Sequence, residues 1–314
     1  MTHVPVLLKE AIEILDPKPG KFIIDGTVGA GGHAAEILKK IEPGGTLLGI
    51  DWNKTAIEKL EMRIKDEGLK IKKGKIVLVY GNYADLPKIL KEKNLLKADG
   101  LIIDLGFSTE ELEKSGRGFS FLKDEPLDMR YDIGEVESEK GKVKSGERIQ
   151  TVAEIVNSYS EKELADIFYI YGEERMSRQI AKKIVEERRK ERIMTTGRLV
   201  EVVKMAVGKG YEKGRINPAT RVFQALRIYV NKELENLETI LKNLPEIIRP
   251  NGRVVIISFH SLEDRIVKNY FKQMEKEGKG EILTKKPVVA SKEEIISNPR
   301  SRSAKLRAII IIKS

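Results

Sequence analysis

The chain has 314 residues, 40% hydrophobic and 34% charged, which is enough apolar mass for one large domain or two smaller ones and excludes a disordered or fibrous chain. It contains no cysteine, which excludes a disulfide framework and any zinc site built on thiolates. Lys and Arg number 58 against 48 Asp and Glu, and the resulting +10 suits either a nucleic-acid partner or plain solubility.

No apolar run approaches the roughly 20 residues that span a bilayer. The first ten residues lack the basic region and apolar core of a leader peptide. A cytoplasmic protein with no membrane partner is expected.

Residues 3–7 are extended, because Pro5 restricts its predecessor. Leu8, Ile12 and Leu15 share one face of a short helix that stops at Asp16-Pro17. Phe22, Ile23 and Ile24 predict a buried strand ending at Asp25. A turn through Gly26, Gly29, Gly31 and Gly32 follows, and a helix opens at His33. Ala34, Ile37, Leu38 and Ile41 mark that helix, closed by Pro43-Gly44-Gly45.

A second strand over 46–50 ends at Asp51, and Ile57, Leu60 and Ile64 line the next helix. A third strand over 76–80 leads into Gly81-Asn82-Tyr83-Ala84-Asp85 and a helix over 86–93. A fourth strand over 101–105 carries Asp104. This alternation predicts an α/β fold with a doubly wound, mostly parallel sheet. The near-continuous apolar strands predict that both of its faces are covered.

After Asp104 the period is lost. Residues 106–132 mix glycine, charge and aromatics, and 135–147 are polar. Residues 152–207 read as helical, with a capping box at Ser160 and Glu163 and a cap at Thr195 or Thr196. They include the basic run Arg188-Arg189-Lys190-Glu191-Arg192. Such a run cannot supply the next parallel strand. Residues 112–215 are therefore read as an inserted all-helical substrate-recognition domain, and 1–111 with 216–314 as the α/β domain.

The sheet pattern resumes with one long helix through Phe223, Leu226, Val230, Leu234 and Leu237, then a strand over 253–259. A helix carrying Ile266, Val267, Tyr270 and Phe271 follows, then late strands over 282–289 and 306–312. A final strand pair closing a parallel core is the architecture of a class I methyltransferase, a Rossmann-like fold.

Gly29-Ala30-Gly31-Gly32-His33-Ala34 satisfies the dinucleotide pattern, with Asp51 at the expected distance, so an NAD-dependent oxidoreductase is one alternative. Charge separates the cofactors. Asp25, Asp51 and Asp104 each end a strand, and strand carboxyl ends converge on the ligand crevice. Three carboxylates there repel a pyrophosphate, by about 4 kcal/mol for a close pair. They suit S-adenosyl-L-methionine, which carries an ammonium, a sulfonium and a ribose diol for Asp51. Each acid taken singly also suits a turn or a helix cap.

Tyr83 is placed to stack on adenine or to pack in the core. His260, Ser261, Glu263 and Asp264 cluster after the strand over 253–259, where Ser261 with Asp264 can also cap a helix. Nothing in the sequence forms a metal-ligand cluster.

Seven segments, in order, resemble one family: His3-Val-Pro-Val-Leu-Leu, Asp25-Gly-Thr-Val-Gly-Ala-Gly-Gly-His, Asp104-Leu-Gly-Phe-Ser, Arg117-Gly-Phe-Ser-Phe, Pro126-Leu-Asp-Met-Arg, Asn217-Pro-Ala-Thr-Arg-Val-Phe-Gln-Ala-Leu-Arg-Ile and Ile257-Ser-Phe-His-Ser-Leu-Glu-Asp-Arg. They look like the motifs of the MraW family, bacterial 16S ribosomal RNA cytosine-N4 methyltransferases, and extend over nearly the whole chain.

The resemblance implies S-adenosylmethionine binding through Gly31, Gly32, His33, Asp51, Tyr83, Asp104 and Glu111, to which the charge argument adds Asp25. Many members carry glutamine at the position of Glu111; an acid there accepts a hydrogen bond and cannot donate one. Thr2 replaces a histidine often seen before Val-Pro-Val.

The reaction needs N4 held in line with the S–methyl bond and an acceptor for its proton. His260 is the candidate proton acceptor and Phe107 the candidate ring stacking on the flipped base, while Asp104 is a catalytic candidate by its position, where amino methyltransferases carry an acid or amide. The expected partner is 16S ribosomal RNA in the small ribosomal subunit, not DNA, met by Arg117, Arg130, Arg221, Arg227, Arg300, Arg302 and the basic run. A non-catalytic RNA-binding assembly factor on the same fold is a further alternative, against which the intact Asp25, Asp51 and Asp104 argue.

Overall fold

The computed structural model describes residues 5–66, 74–106, 115–131, 149–208, 210–211 and 217–313. Two of the candidate site residues, Phe107 and Glu111, lie outside them. The chain divides into two compact units, Met1–Ser108 with Leu234–Ser314 and Thr109–Glu233.

The first unit is built on seven strands: β1 Phe22–Asp25, β2 Thr46–Asp51, β3 Lys75–Tyr80, β4 Ala98–Asp104, β5 Ile248–Ser258, β6 Gly280–Ile282 and β7 Lys305–Ile311. Their order in the sheet is β3-β2-β1-β4-β5-β7-β6. The pairs from β3 to β5 are parallel, and β7 runs antiparallel to both β5 and β6.

Adjacent residues feed opposite cores. Ile24, Leu48, Ile103 and Ile256 join Leu86, Leu237 and Phe271 on one face. Ile23, Leu47, Ile102 and Val255 join Ile37, Leu60 and Leu15 on the other. Each such side chain contributes about 1.5–3 kcal/mol on burial, so a doubly covered strand is held from both faces. This is the packing that the unbroken apolar strands call for.

The helices α1 Leu8–Leu15, α2 Gly32–Ile41, α3 Lys54–Asp66 and α4 Leu86–Glu92 follow the predicted order. The expected strand over 282–289 does not form. β6 stops at Ile282, and beyond it Val288 makes an isolated bridge to Leu306. Pro287 has no N–H to give a ladder there.

In the second unit, α5 Val152–Ser158 and α6 Glu161–Gly172 both open on complete capping boxes, at Thr151 with Glu154 and at Ser160 with Glu163. They are followed by α7 Ser177–Arg188, α8 Thr196–Val207 and α9 Ala219–Asn231. Thr195 accepts from the Arg198 N–H and caps α8.

The limits expected at residues 111 and 215 lie instead at 108 and 233. The reason is a break in the helix predicted to run unbroken to Leu237. Lys232 adopts φ 51, a left-handed conformation that ends α9, and α10 Glu233–Lys242 starts anew. α9 then packs on α6 so closely that a Cβ on Gly172 would stand 2.6 Å from the Arg221 carbonyl oxygen.

Two further short helices, α11 Leu244–Ile247 ahead of β5 and α13 Lys292–Ser297, flank α12 Ser261–Lys276 in the first unit. Among the described residues no helix is long and apolar enough to cross a membrane.

Candidate active site

The parallel register lines up the strand ends. Asp25 pairs with Gly49 and Ile102, Asp51 with Tyr80, and Asp104 with Ile257. β1 and β4 are where the strand order reverses, so the loops after them open the crevice in which such sheets bind ligands.

The glycine loop is anchored to both neighbours of β1. The Gly26 N–H donates to the Ile102 carbonyl (2.9 Å) and the Val28 N–H to the Ile50 carbonyl (2.9 Å). Gly31, at φ 78, is the residue ahead of α2, and no side chain caps that helix. Its first N–H groups therefore face the loop without a side-chain acceptor, the arrangement that receives a polar or anionic ligand group. The Arg63 guanidinium donates to the Ala30 carbonyl (3.0 Å) and latches the far side of the loop.

Pro5 seats the N-terminal segment on the start of α2, where a Cβ added to Gly32 would lie 2.0 Å from Pro5 Cγ. Gly32→Ala should displace the Pro5 segment and weaken cofactor binding about ten-fold, an overpacking effect of about 1–3 kcal/mol. Calorimetric titration of the variant checks it, and an unchanged affinity would remove Gly32 from the site.

The three acids differ in environment. Asp51 is satisfied: Oδ2 accepts from the Gly29 N–H (2.7 Å) and Oδ1 from the Asn53 N–H (2.8 Å). Asp104 Oδ1 accepts from the Gly106 N–H (3.0 Å), and its own N–H donates to Thr27 Oγ1 (2.7 Å).

Asp25 is 2% exposed. Its Oδ1 accepts from the Thr27 N–H (3.2 Å), and its Oδ2 is buried without a partner. Burial pushes its carboxyl up to about 7; the Thr27 N–H opposes the rise and the charges of Asp104 and Asp51 add to it.

His33 Nδ1 lies 3.9 Å from Asp104 Oδ2. Burial pushes the imidazole down to about 4, against the pull of the Val6 carbonyl, so the ring is neutral near pH 7 and the contact is not an ion pair. Its Nε2 is likewise buried without a partner. Two orphaned polar atoms and three convergent carboxylates beside a glycine cradle fit a cationic ligand with further hydrogen-bonding groups.

Tyr83 is 3% exposed and meets Trp52 edge to face, with ring centroids 6.0 Å apart. Its ring joins the core face that also holds Leu86 and Ile24. Trp52, directly after Asp51, is half-buried beside it.

His260 is the N-cap of α12. Its Nδ1 accepts from the Glu263 N–H (3.3 Å), while Glu263 Oε2 accepts from the His260 N–H (3.2 Å). The proton acceptor expected at His260 thus has its Nδ1 lone pair in a capping box, and Nε2, 3.1 Å from Glu263 Oε1, is buried without a hydrogen-bond partner among the described residues. The cap expected at Ser261 with Asp264 belongs to His260 with Glu263. Asp264 is bound instead by Arg307 Nε (2.6 Å) and Lys305 Nζ (3.3 Å), which hold its carboxyl below the usual range against burial.

Arg117, Arg130 and Arg227, all expected to meet RNA, are engaged internally. Arg117 Nη1 donates to the carbonyls of Arg130 (2.8 Å) and Tyr131 (3.1 Å). Arg130 forks onto Asp128 at 2.6 and 2.8 Å. Arg227 forks onto Glu233 at 2.9 and 3.0 Å, where the Tyr131 hydroxyl also donates. These guanidiniums hold residues 115–131 and the end of α9 in place. Arg221 and Arg300 are half-buried and Arg302 is exposed.

Thr27, Trp52, Asn53 and Arg63 are site residues that the sequence pattern did not single out. Trp52 and Asn53 carry one signal, their position directly after a strand-end acid. Thr27 sits inside the loop motif, and Arg63 has no local signal because its partner is 33 residues away.

A profile of the MraW methylase family matches residues 1–312. A protein of Syntrophotalea carbinolica named Ribosomal RNA small subunit methyltransferase H is 43% identical over 323 residues, covering 98% of this chain and 97% of that one. Proteins of the same name from Syntrophus aciditrophicus and Coprothermobacter proteolyticus are 42% and 44% identical over 320 and 305 residues, each alignment covering 97% of this chain, with 96% and 94% of theirs. With a match that runs almost end to end, the chain belongs to the MraW methylase family.

Proposed function

We propose that this chain is an S-adenosylmethionine-dependent methyltransferase that places a methyl group on the N4 amine of a cytidine in 16S ribosomal RNA of the small subunit, in the cytoplasm. The observation that carries the reading is the set Asp25, Asp51 and Asp104 around an anchored glycine loop, in a chain that matches a methylase family over residues 1–312. When bound, S-adenosylmethionine supplies an activated methyl group on a positively charged sulfur.

This chain's residues bind and orient. Gly31, Gly32 and His33 would form the cradle, and Asp51 would accept from the ribose hydroxyls. Asp25 and Asp104 would neutralise the ammonium, and Tyr83 with Trp52 would wall the adenine. With the cofactor bound, the cytosine N4 would take the methyl group and would have to release a proton to a nearby acceptor. Asp104 Oδ2 is the acceptor we assign, since His260 Nδ1 is held in the cap of α12. His260 positions the loop after β5. Arg302, Arg300, Arg221 and the basic run meet phosphate. A pyrophosphate cofactor is disfavoured by the same three acids.

The test is transfer of labelled methyl groups to purified small ribosomal subunits, followed by mapping of the modified base. Asp104→Ala should fall by about 100-fold or more, as expected for loss of a proton acceptor at the reacting atom. A folded wild-type protein that binds NAD tightly and leaves subunit RNA unmethylated would overturn the reading.

A further inference from the structure

The helical unit contains a groove of about 380 Å³ lined by Gln150, Glu154, Asn157, Ser158, Arg188 and Arg192. That volume is within the roughly 300–1,000 Å³ of small-ligand sites. Glu154, Asn157 and Ser158 come from α5, and Gln150 lies just ahead of its N-cap Thr151. Arg188 ends α7, and Arg192 lies in the turn after it.

The walls are fixed. The Asn157 amide nitrogen donates to the carbonyls of Ala153 (2.7 Å) and Ile193 (2.8 Å), while its oxygen accepts from the Ile193 N–H (3.0 Å). The turn carrying Arg192 is thereby clamped to α5. Arg188 Nη1 donates to the Val156 carbonyl (2.9 Å), which aims the guanidinium. The Tyr159 hydroxyl donates to Gln150 Oε1 (2.8 Å), so the Gln150 amide nitrogen is left to donate elsewhere. Burial and Tyr229 push the Tyr159 phenol up to about 12, so that hydroxyl keeps its proton.

The charges are unequal across α7. On one side Lys183, Lys190 and Arg198 all converge on Glu187. Among the described residues, Arg188, Arg189 and Arg192 have no carboxylate in ion-pair contact, and Arg188 and Arg189 repel each other. Two guanidiniums against the single carboxylate of Glu154 leave the groove with excess positive charge, which suits an anion. Glu154, held by the Thr151 N–H (2.8 Å), and Gln150 add an acceptor and a donor beside them. A bare phosphate uses neither group, whereas a nucleotide with a base edge uses both.

We propose that this groove binds one nucleotide of single-stranded RNA, with the phosphodiester on Arg188 and Arg192 and the base edge on Gln150 and Glu154. The proposal rests on the ribosomal RNA reading above and gives the substrate a named contact in the helical unit.

The experiment measures fluorescence anisotropy of a labelled single-stranded RNA oligonucleotide of small-subunit sequence against Arg192→Glu, Arg192→Gln, Gln150→Ala and, as control, Lys182→Glu on the exposed side of α7. Arg192→Glu should weaken binding about ten-fold or more. It should lower the salt slope by about 0.7 for the lost phosphate contact. Arg192→Gln and Gln150→Ala should weaken binding less, and Lys182→Glu should stay within about two-fold. Melting temperature and S-adenosylmethionine affinity should remain those of the wild type.

Equal losses in Arg192→Glu and Lys182→Glu would reduce the effect to general charge and overturn the site. So would full competition by inorganic phosphate or free cytidine monophosphate at the oligonucleotide's own affinity. If the wild type methylates subunits and Arg192→Glu binds RNA normally, the groove alone falls. If Arg192→Glu loses RNA and the wild type methylates nothing, the groove stands and the proposed reaction falls.

Discussion

Asp25→Asn should make the ligand-free protein more stable above neutral pH while abolishing tight S-adenosylmethionine binding. The carboxyl is buried, one oxygen has no partner, and its value is raised from 3.8 to about 7. A raised value means that the folded protein holds a proton the unfolded chain has already released. Its contribution to stability is full below about pH 4, declines as pH rises toward about 7, and is gone above that. The shift corresponds to about 4 kcal/mol at alkaline pH.

Asparagine carries no charge to bury and removes this penalty, so thermal unfolding between about pH 5 and pH 9 should lose one downward step. The ammonium of the cofactor needs the carboxylate, so wild-type affinity should rise about ten-fold between about pH 6 and pH 8, with a proton released on binding. Calorimetry in buffers of different ionisation enthalpy reads that proton. If Asp25→Asn keeps the wild-type pH profile of stability, Asp25 is already ionised in the free protein and this account fails.

Arg227→Ala should destabilise the helical unit by about 3–5 kcal/mol, the usual consequence of leaving a buried carboxylate without its cation. Glu233 is 9% exposed and receives both Arg227 nitrogens and the Tyr131 hydroxyl. Asn231, in the same helix, donates to the Met129 carbonyl (2.7 Å) and accepts from the Tyr131 N–H (2.8 Å). Met129 sits at φ 58, a left-handed conformation that this clamp maintains. Loss of Arg227 should therefore loosen residues 115–131 as well.

Urea unfolding followed by circular dichroism measures the change. Arg302→Ala, at an exposed position, should leave the midpoint within about 0.5 kcal/mol and lower only RNA affinity. A fully stable Arg227→Ala variant with weakened RNA binding would return Arg227 to the role its motif suggested.

The glycine loop and the acids around it were legible in the sequence for a physical reason. A buried parallel strand is an unbroken apolar run, and the residue that follows it emerges at the carboxyl edge. Asp25, Asp51 and Asp104 are each local to such a run, so their convergence follows once the strands are parallel neighbours. Capping boxes are equally local, spanning four residues, and Ser160 with Glu163 was readable for that reason.

The roles of the motif arginines were not local. Arg130 has its acid two residues away, but Arg227 owes its setting to Tyr131, whose hydroxyl meets Glu233 across 102 positions of sequence. Periodicity reports which face of an element is buried and says nothing of which buried acid a cation will find. The same limit hid the left-handed break at Lys232, which moved α9 into the helical unit. It also hid the turn of His260 Nδ1 into the cap of α12. Chain chemistry therefore determined the sheet and the acids that line its edge. Which polar groups remain available for ligands was decided only by tertiary packing, because a hydrogen bond made inside the fold removes a donor or acceptor that the sequence leaves open.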